Sequence, residues 1–290
     1  MVRETILIRI IIKNLKMDTT TEKSTWLTPK SRLFMAPLPV ETRTYKPVSH
    51  RELSDVTLEA IHDAGFKLGT HKYTSAKEGL IANGRYTITD VADSEMQLEI
   101  GWQNSYDKSL SLKFAIGTRI MICDNGCVSG DLGSFKKKHM GEVKEYAPSQ
   151  IAEEIKKAGE TFRLIQNQRE EMKLFEVDDR TRAELVGRMF IEQDLISSTQ
   201  MNIIKRELKD PTFDYASKNS LWELYQHTTF AMRELHPSLW MQNHMKIHDF
   251  FSKDSSFTPI LSCVDFEEVA TTDVKTSFKD PRQTSILDAQ

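Results

Sequence analysis

Between residues 85 and 123 apolar and polar residues alternate in short runs: Arg85-Tyr86-Thr87-Ile88-Thr89-Asp90-Val91, Met96-Gln97-Leu98-Glu99-Ile100-Gly101-Trp102, Leu110 to Ile116, and Arg119 to Cys123. A period of two, interrupted by polar turns, predicts a meander of antiparallel strands with one face apolar. Gly117-Thr118 and Asp124-Asn125-Gly126 read as turns, because Gly and Asn accept the positive φ of tight hairpins. Ahead of the meander, the Pro- and Thr-rich stretch Leu27 to Pro47 suits extended segments and loops. Ser49 then precedes apolar positions at Leu53, Val56, Leu58, Ile61 and Ala64, with Gly65 as a stop signal, which predicts a capped helix.

After Tyr146-Ala147-Pro148 the period becomes helical. Ile151, Ile155, Ala158, Phe162, Ile165 and Met172 fall on one stripe, which predicts a long amphipathic helix with a seam suited to self-association. Further helices are expected at 180–194, 198–209, 219–234 and 238–252, separated in part by Asp210-Pro211 and His236-Pro237. The expected fold class is α+β, with a β-rich domain over 27–147 and a helical domain over 148–253. Residues 1–26 form an N-terminal extension or strand and residues 254–290 a C-terminal segment and tail. The run Ile6 to Ile12 is too short, and too interrupted by Arg9, for a spanning helix, which needs about 20 residues. It reads as a β-branched strand. Met17 opens a polar run resembling a natural start, so 1–16 also read as an upstream extension.

Charge sharpens the division. The whole chain carries 39 Lys and Arg against 42 Asp and Glu, which excludes a wholly basic nucleic-acid protein. Residues 1–150 hold 21 of those cations against 18 acids, whereas 151–290 hold 18 against 24. The acidic helical half favours protein contact over a nucleic-acid groove. Three cysteines cannot supply a disulfide framework.

Candidate chemistry is sparse. Cys123 and Cys127 flank a turn and His244 and His248 stand one helical turn apart, a Cys2His2 set by type but divided between the two halves of the chain. The reading preferred for them is a buried strand cysteine, a turn cysteine and exposed helix histidines, with no metal and no cofactor. The run Lys136-Lys137-Lys138, with Arg119, is the candidate nucleic-acid contact, since lysines neutralise phosphate without reading sequence. Trp102 and Tyr106 offer stacking faces for single-stranded bases, against a plainer role in the core. There is no Gly-x-Ser-x-Gly elbow, no Gly-x4-Gly-Lys-[Ser/Thr] loop and no His-Glu-x-x-His. Asp107, Asp124 and Asp131 have no spacing that marks an acid–base pair, so no catalytic residue is expected.

The stretch Asn104-Ser105-Tyr106-Asp107-Lys108-Ser109, then Phe114-Ala115-Ile116-Gly117-Thr118-Arg119-Ile120-Met121-Ile122-Cys123-Asp124-Asn125-Gly126, resembles a widespread phage- and plasmid-encoded family catalogued as a domain of unknown function. Asn219-Ser220-Leu221-Trp222-Glu223-Leu224-Tyr225 is similar to its helical half, and Asp124 is an extra residue between the family's Cys and Asn. In size and provenance the chain is also similar to phage inhibitors of the Gabija defence system. The resemblance implies a mobile-element protein of the bacterial cytoplasm and supplies no catalytic residues. It leads to the expectation of a non-enzymatic anti-defence inhibitor, a homo-oligomer outside any membrane, that binds and occludes a host nuclease complex such as Gabija. Trp222, Tyr225, Trp240, Phe250 and Phe251 are its candidate protein-binding anchors. The alternative is a nucleic-acid-binding phage protein of recombination or replication that uses Arg119, Lys136, Lys137 and Lys138.

Overall fold

The computed structural model describes residues 26–253, apart from residue 124, residues 129–132 and residue 216. The fold is α+β, an antiparallel sheet of six strands followed by helices. A short helix α1 (Lys30–Phe34) precedes α2 (His50–Asp63), whose N-terminus is capped by the Ser49 hydroxyl accepting from the Glu52 amide, as the sequence pattern predicts. The sheet comprises β1 (Leu68–Ala76), β2 (Ile81–Ala92), β3 (Met96–Ser105), β4 (Leu112–Ile120), β5 (Gly126–Val128) and β6 (Ser134–Lys137). β1 to β4 form the meander, and the outer edge of β4 is shared end to end by β6 and β5.

Then come α3 (Val143–Lys156), α4 (Ala158–Leu174), α5 (Asp179–Gly187) with a π-turn at Arg188–Glu192, α6 (Ser198–Lys209), α7 (Leu221–Ala231) and α8 (Trp240–Lys253). Among the described residues no helix is long and apolar enough to cross a membrane.

Gly117, the 151–172 helix and β1 depart from the sequence reading. Gly117-Thr118 is no turn: β4 runs straight through it, because Gly117 faces Val128 and Cys127 so closely that a Cβ there would lie 2.5 Å from the Cys127 carbonyl oxygen. Here glycine serves strand approach rather than positive φ. The single helix expected around 151–172 is two, broken at Lys157, and the first begins at Val143 with Pro148 inside it. β1 carried no strand signal, since Thr70, His71 and Lys72 give its exposed first half no apolar alternation. The segment 6–12 and the tail 254–290 lie outside the described residues.

The register assigns every strand residue to a face. Tyr73, Tyr86, Ile88, Trp102, Ile100, Leu98, Phe114, Ile116 and Ile120 share the apolar face. α2, α3 and α4 bury it, and the stripe Ile151, Ile155, Ala158, Phe162, Ile165 and Met172 is consumed there within the chain's own core. One contiguous core cluster thus joins residues from both halves of the chain. At its centre Trp102 donates its indole N–H to the Tyr86 hydroxyl at 2.9 Å, Tyr86 and Tyr73 hydroxyls meet at 3.3 Å, and Ser54 of α2 reaches Tyr73 at 2.8 Å. The chain of hydroxyls satisfies three polar tips inside hydrocarbon, which fixes the strands in one register.

Gly84 makes room for that indole: a Cβ there would lie 2.5 Å from Trp102 Cε2. Gly84→Ala is expected to destabilise the fold by about 1–3 kcal/mol through overpacking. Gly159→Ala, in α4 with open space around it, is expected to stabilise by up to about 1 kcal/mol. Urea denaturation of the two variants, compared with the parent, checks both signs.

Candidate functional site

The opposite face of the sheet is polar, and its centre is not solvated. Alternation places Lys72 and Thr74 of β1, Asn83, Arg85 and Thr87 of β2, Gln97, Glu99, Gly101 and Gln103 of β3, Lys113, Ala115, Gly117 and Arg119 of β4, and Lys136 of β6 on it. Among these positions five cations face one carboxylate, Glu99. Asn83, Glu99, Gln103 and Lys113 are all buried. Uncompensated burial of such groups costs several kcal/mol, so what covers them matters.

The cover is the α7–α8 loop and the first turns of α8. The Pro237 carbonyl accepts from Gln103 Nε2 at 2.7 Å and from Asn83 Nδ2 at 3.0 Å. The Arg85 guanidinium carbon lies 4.9 Å from the Trp240 ring centroid, while Arg85 Nε donates to Glu99 Oε1 at 2.8 Å. Lys113 Nζ donates to Gln242 Oε1 at 3.3 Å. Burial, and then the charge of Lys136 beside it, lowers the Lys113 pKa from its ordinary value. Met241 and Met245 add a small apolar contact with Ala115 and Val128 that is separate from the main core.

The run of lysines divides around this face. Lys136 pairs with Lys113 across the strands and is exposed, Lys138 is exposed just beyond β6, and Lys137 is turned to Tyr146 of α3, with Nζ 4.3 Å from the ring centroid. Arg119 is half-buried on the polar face, its Nη1 3.5 Å from Gln97 Oε1. The structure thus brings Arg119 and Lys136 onto one face and takes Lys137 to the other. Lys113, Arg85, Asn83 and Gln103 carried no motif. Alternation marks them only as polar-face residues, and nothing in it tells that this face is covered.

The stretch Asn104 to Ser109 folds into a knot around His50. The His50 ring stacks on Tyr106 at 3.8 Å between centroids, His50 N–H donates to the Tyr106 hydroxyl at 2.7 Å, and Asn104 Nδ2 bonds the Val48 carbonyl at 2.8 Å. Lys108, at φ 63°, turns the chain and holds its ammonium 4.7 Å from the Tyr45 ring centroid. Although burial opposes it, hydrogen bonds from Lys77 and Ser109 hold the Asp107 carboxyl below its ordinary range. The motif is therefore an architectural corner joining α2, β3 and the β3–β4 turn. Trp102 and Tyr106, the proposed stacking faces, are spent inside it and inside the core. Asp124 and Asp131 lie outside the described residues.

Of the four Cys and His residues, Cys127 and His248 meet, with Sγ 3.3 Å from Nδ1, while His248 Nε2 lies 3.0 Å from Gln168 Oε1. Cys123 instead reaches Gln226, and His244 packs against Trp240. Both histidines are buried rather than exposed. Cys127 and His248 have the connectivity of a nucleophile and base, but burial pushes the thiol up to about 11 and the imidazole down to about 4, so the pair is neutral and sealed. Among the described residues no three His, Cys, Asp or Glu side chains converge as metal ligands. The anchors Trp222, Tyr225, Phe250 and Phe251 are buried in the core, and Trp240 is half-buried over Arg85. A groove of about 560 Å3 near the start of α5 is lined by Glu176, Asp178, Asp179 and Arg182, whose guanidinium is already held by Asn219 and Asp179.

His50, His244 and His248 titrate at about 4, 3 and 4 in the fold, each lowered first by burial, against an ordinary 6.5. Between the folded and unfolded values the unfolded chain binds more protons, so stability is complete above about pH 6.5 and falls as pH drops toward 4. His248→Asn is expected to flatten that slope, as read from urea midpoints at pH 5 and pH 7.

A family model described as a domain of unknown function matches residues 37–237. No curated protein and no solved structure matches the chain. The matched region holds α2, the whole sheet and α3 to α7, and ends at Pro237, three residues before α8 begins.

Proposed function

The chain belongs to the family Domain of unknown function (DUF932), and we propose that it binds nucleic acid without turnover, as a phage protein of recombination or replication. The observation that carries this reading is the pair Lys113 and Lys136, opposite one another on the polar face, the first buried with an amide oxygen as its contact. Like charges directly opposite across strands are destabilising. Edge strands do carry lysines to discourage pairing, which accounts for Lys136 to Lys138 alone. It does not account for a lysine buried in β4. A phosphate between the two ammonium groups turns the unfavourable pair into charge-assisted hydrogen bonds. Arg119 on the same face of β4, and the exposed Lys138 just beyond β6, are the further cations offered to it.

A second reading, occlusion of a host antiphage nuclease complex such as Gabija, is favoured by a different feature. Met35, Leu38 and Val40 are exposed at 82, 49 and 85% on one Pro-rich connection, an apolar run of the kind that marks partner surfaces. Either activity belongs in the cytoplasm of a bacterial host.

Fluorescence anisotropy with a labelled oligonucleotide tests the first reading. Affinity is expected to fall linearly with salt on logarithmic axes, and Lys136→Glu with Lys138→Glu to weaken binding about tenfold or more without lowering the urea midpoint. Unchanged affinity in that double variant, or recovery of a stoichiometric nuclease in a salt-washed, nuclease-treated pull-down with no oligonucleotide binding, moves the second reading to first place.

A further inference from the structure

Three contacts tie the cover to the polar face, and each has the chemistry of a ligand contact. Two amide donors, from Asn83 and Gln103, converge on a single oxygen, the Pro237 carbonyl. A flat aromatic ring, Trp240, lies against the Arg85 guanidinium. A neutral oxygen, Gln242 Oε1, stands where Lys113 would meet an anion. Gly101 lies beneath the cover, where a Cβ would be in ordinary contact with Met241 Cε at 3.5 Å and Trp240 Cη2 at 3.8 Å. Single-stranded nucleic acid presents the same three groups, as base or phosphate oxygens, unstacked base rings and phosphate charge.

The cover is also held apart from the main core. The second half of α8 belongs to the main core through Ile247, Phe250 and Phe251. Its first half rests on the separate small cluster of Met241 and Met245 against Ala115 and Val128. Helix ends that lie outside the main core open locally at lower cost than the fold as a whole. Gln103 Oε1, meanwhile, is buried under the cover with no hydrogen-bond partner among the described residues.

Resting on the nucleic-acid reading, we infer that the covered sheet face is the binding surface for a single strand, and that residues 236–243 occupy it in the free protein as a displaceable mimic of that strand. On binding, the first turns of α8 lift away. Asn83 and Gln103 then hold a base or phosphate oxygen, a base replaces Trp240 on Arg85, and a phosphate replaces the Gln242 amide between Lys113 and Lys136. Duplex DNA, whose bases are stacked and paired, cannot make the ring exchange.

The test uses the full chain and a labelled oligothymidylate. Trp240→Ala with Gln242→Ala is expected to bind about tenfold more tightly than the parent, because the free protein no longer holds the closed state, and adding Lys113→Gln is expected to remove that gain. Hydrogen exchange of the parent is expected to quicken at residues 238–243 and slow in β2 and β3 when the oligothymidylate binds. Parent binding with unchanged exchange at 238–243 and no gain in the double variant overturns the displaceable cover and leaves the nucleic-acid reading intact. If neither parent nor double variant binds the oligothymidylate, both fall.

Discussion

β3 is buried on both faces, and the two faces demand opposite things of whatever covers them. Toward α2 and α4 it presents Leu98, Ile100 and Trp102, which hydrocarbon satisfies; toward α8 it presents Glu99 and Gln103, which hydrocarbon cannot. A helix laid on the second face with an apolar stripe would leave charges and amides unpaired at several kcal/mol each. The chain meets this constraint with a proline carbonyl, an indole face and a glutamine. The polar composition of the α7–α8 loop, the half-burial of Trp240 and the division of α8 between two apolar clusters follow from it.

The apolar side is organised around aromatic groups whose polar tips meet one another, and the buried histidines follow the same logic. His50, His244 and His248 are all held neutral, each packed against an aromatic ring, so both halves of the chain gain imidazoles that act as shaped, weakly polar packing elements. The Cys127–His248 contact belongs to this set. Its geometry invites a catalytic reading, but burial drives its proton equilibria toward the two neutral forms.

Much of the architecture was legible from periodicity. The Ser49 cap, β2 to β4, and the helices from α6 to α8 lie close to where alternation, capping and proline placed them; β2 to β4, α6 and α8 have one face in the core and the other in water or polar surroundings, whereas α7 is buried nearly throughout. What periodicity missed has physical causes. β1 is exposed over its first half and so lacks an apolar face there. Gly117 looks like a turn because sequence cannot separate a glycine needed for positive φ from one needed for close strand approach. Lys157 breaks a helix whose stripe continues unbroken across the break, since both pieces face the same core. For the candidate site, the lysine run and Arg119 could be read from local charge. Lys113 and its amide neighbours could not, because their significance lies in a burial that only the returning α8 creates.

The two edges of the sheet are protected differently. Along β1, the chain's own residues 26–28 take up the edge, with Thr28 N–H donating to the Tyr73 carbonyl and Ser75 N–H to the Trp26 carbonyl. At the other edge, no described strand pairs with the outer side of β6, and the exposed Lys136 and Lys138 carry charge there instead. The first guard is backbone hydrogen bonding made within the chain itself, whereas the second is electrostatic and lasts only while the lysines keep their charge. Salt, acetylation or any bound polyanion that screens these ammonium groups also removes the repulsion between two such edges. Solubility and self-pairing of this protein are thereby coupled to the occupancy of its most cationic strand.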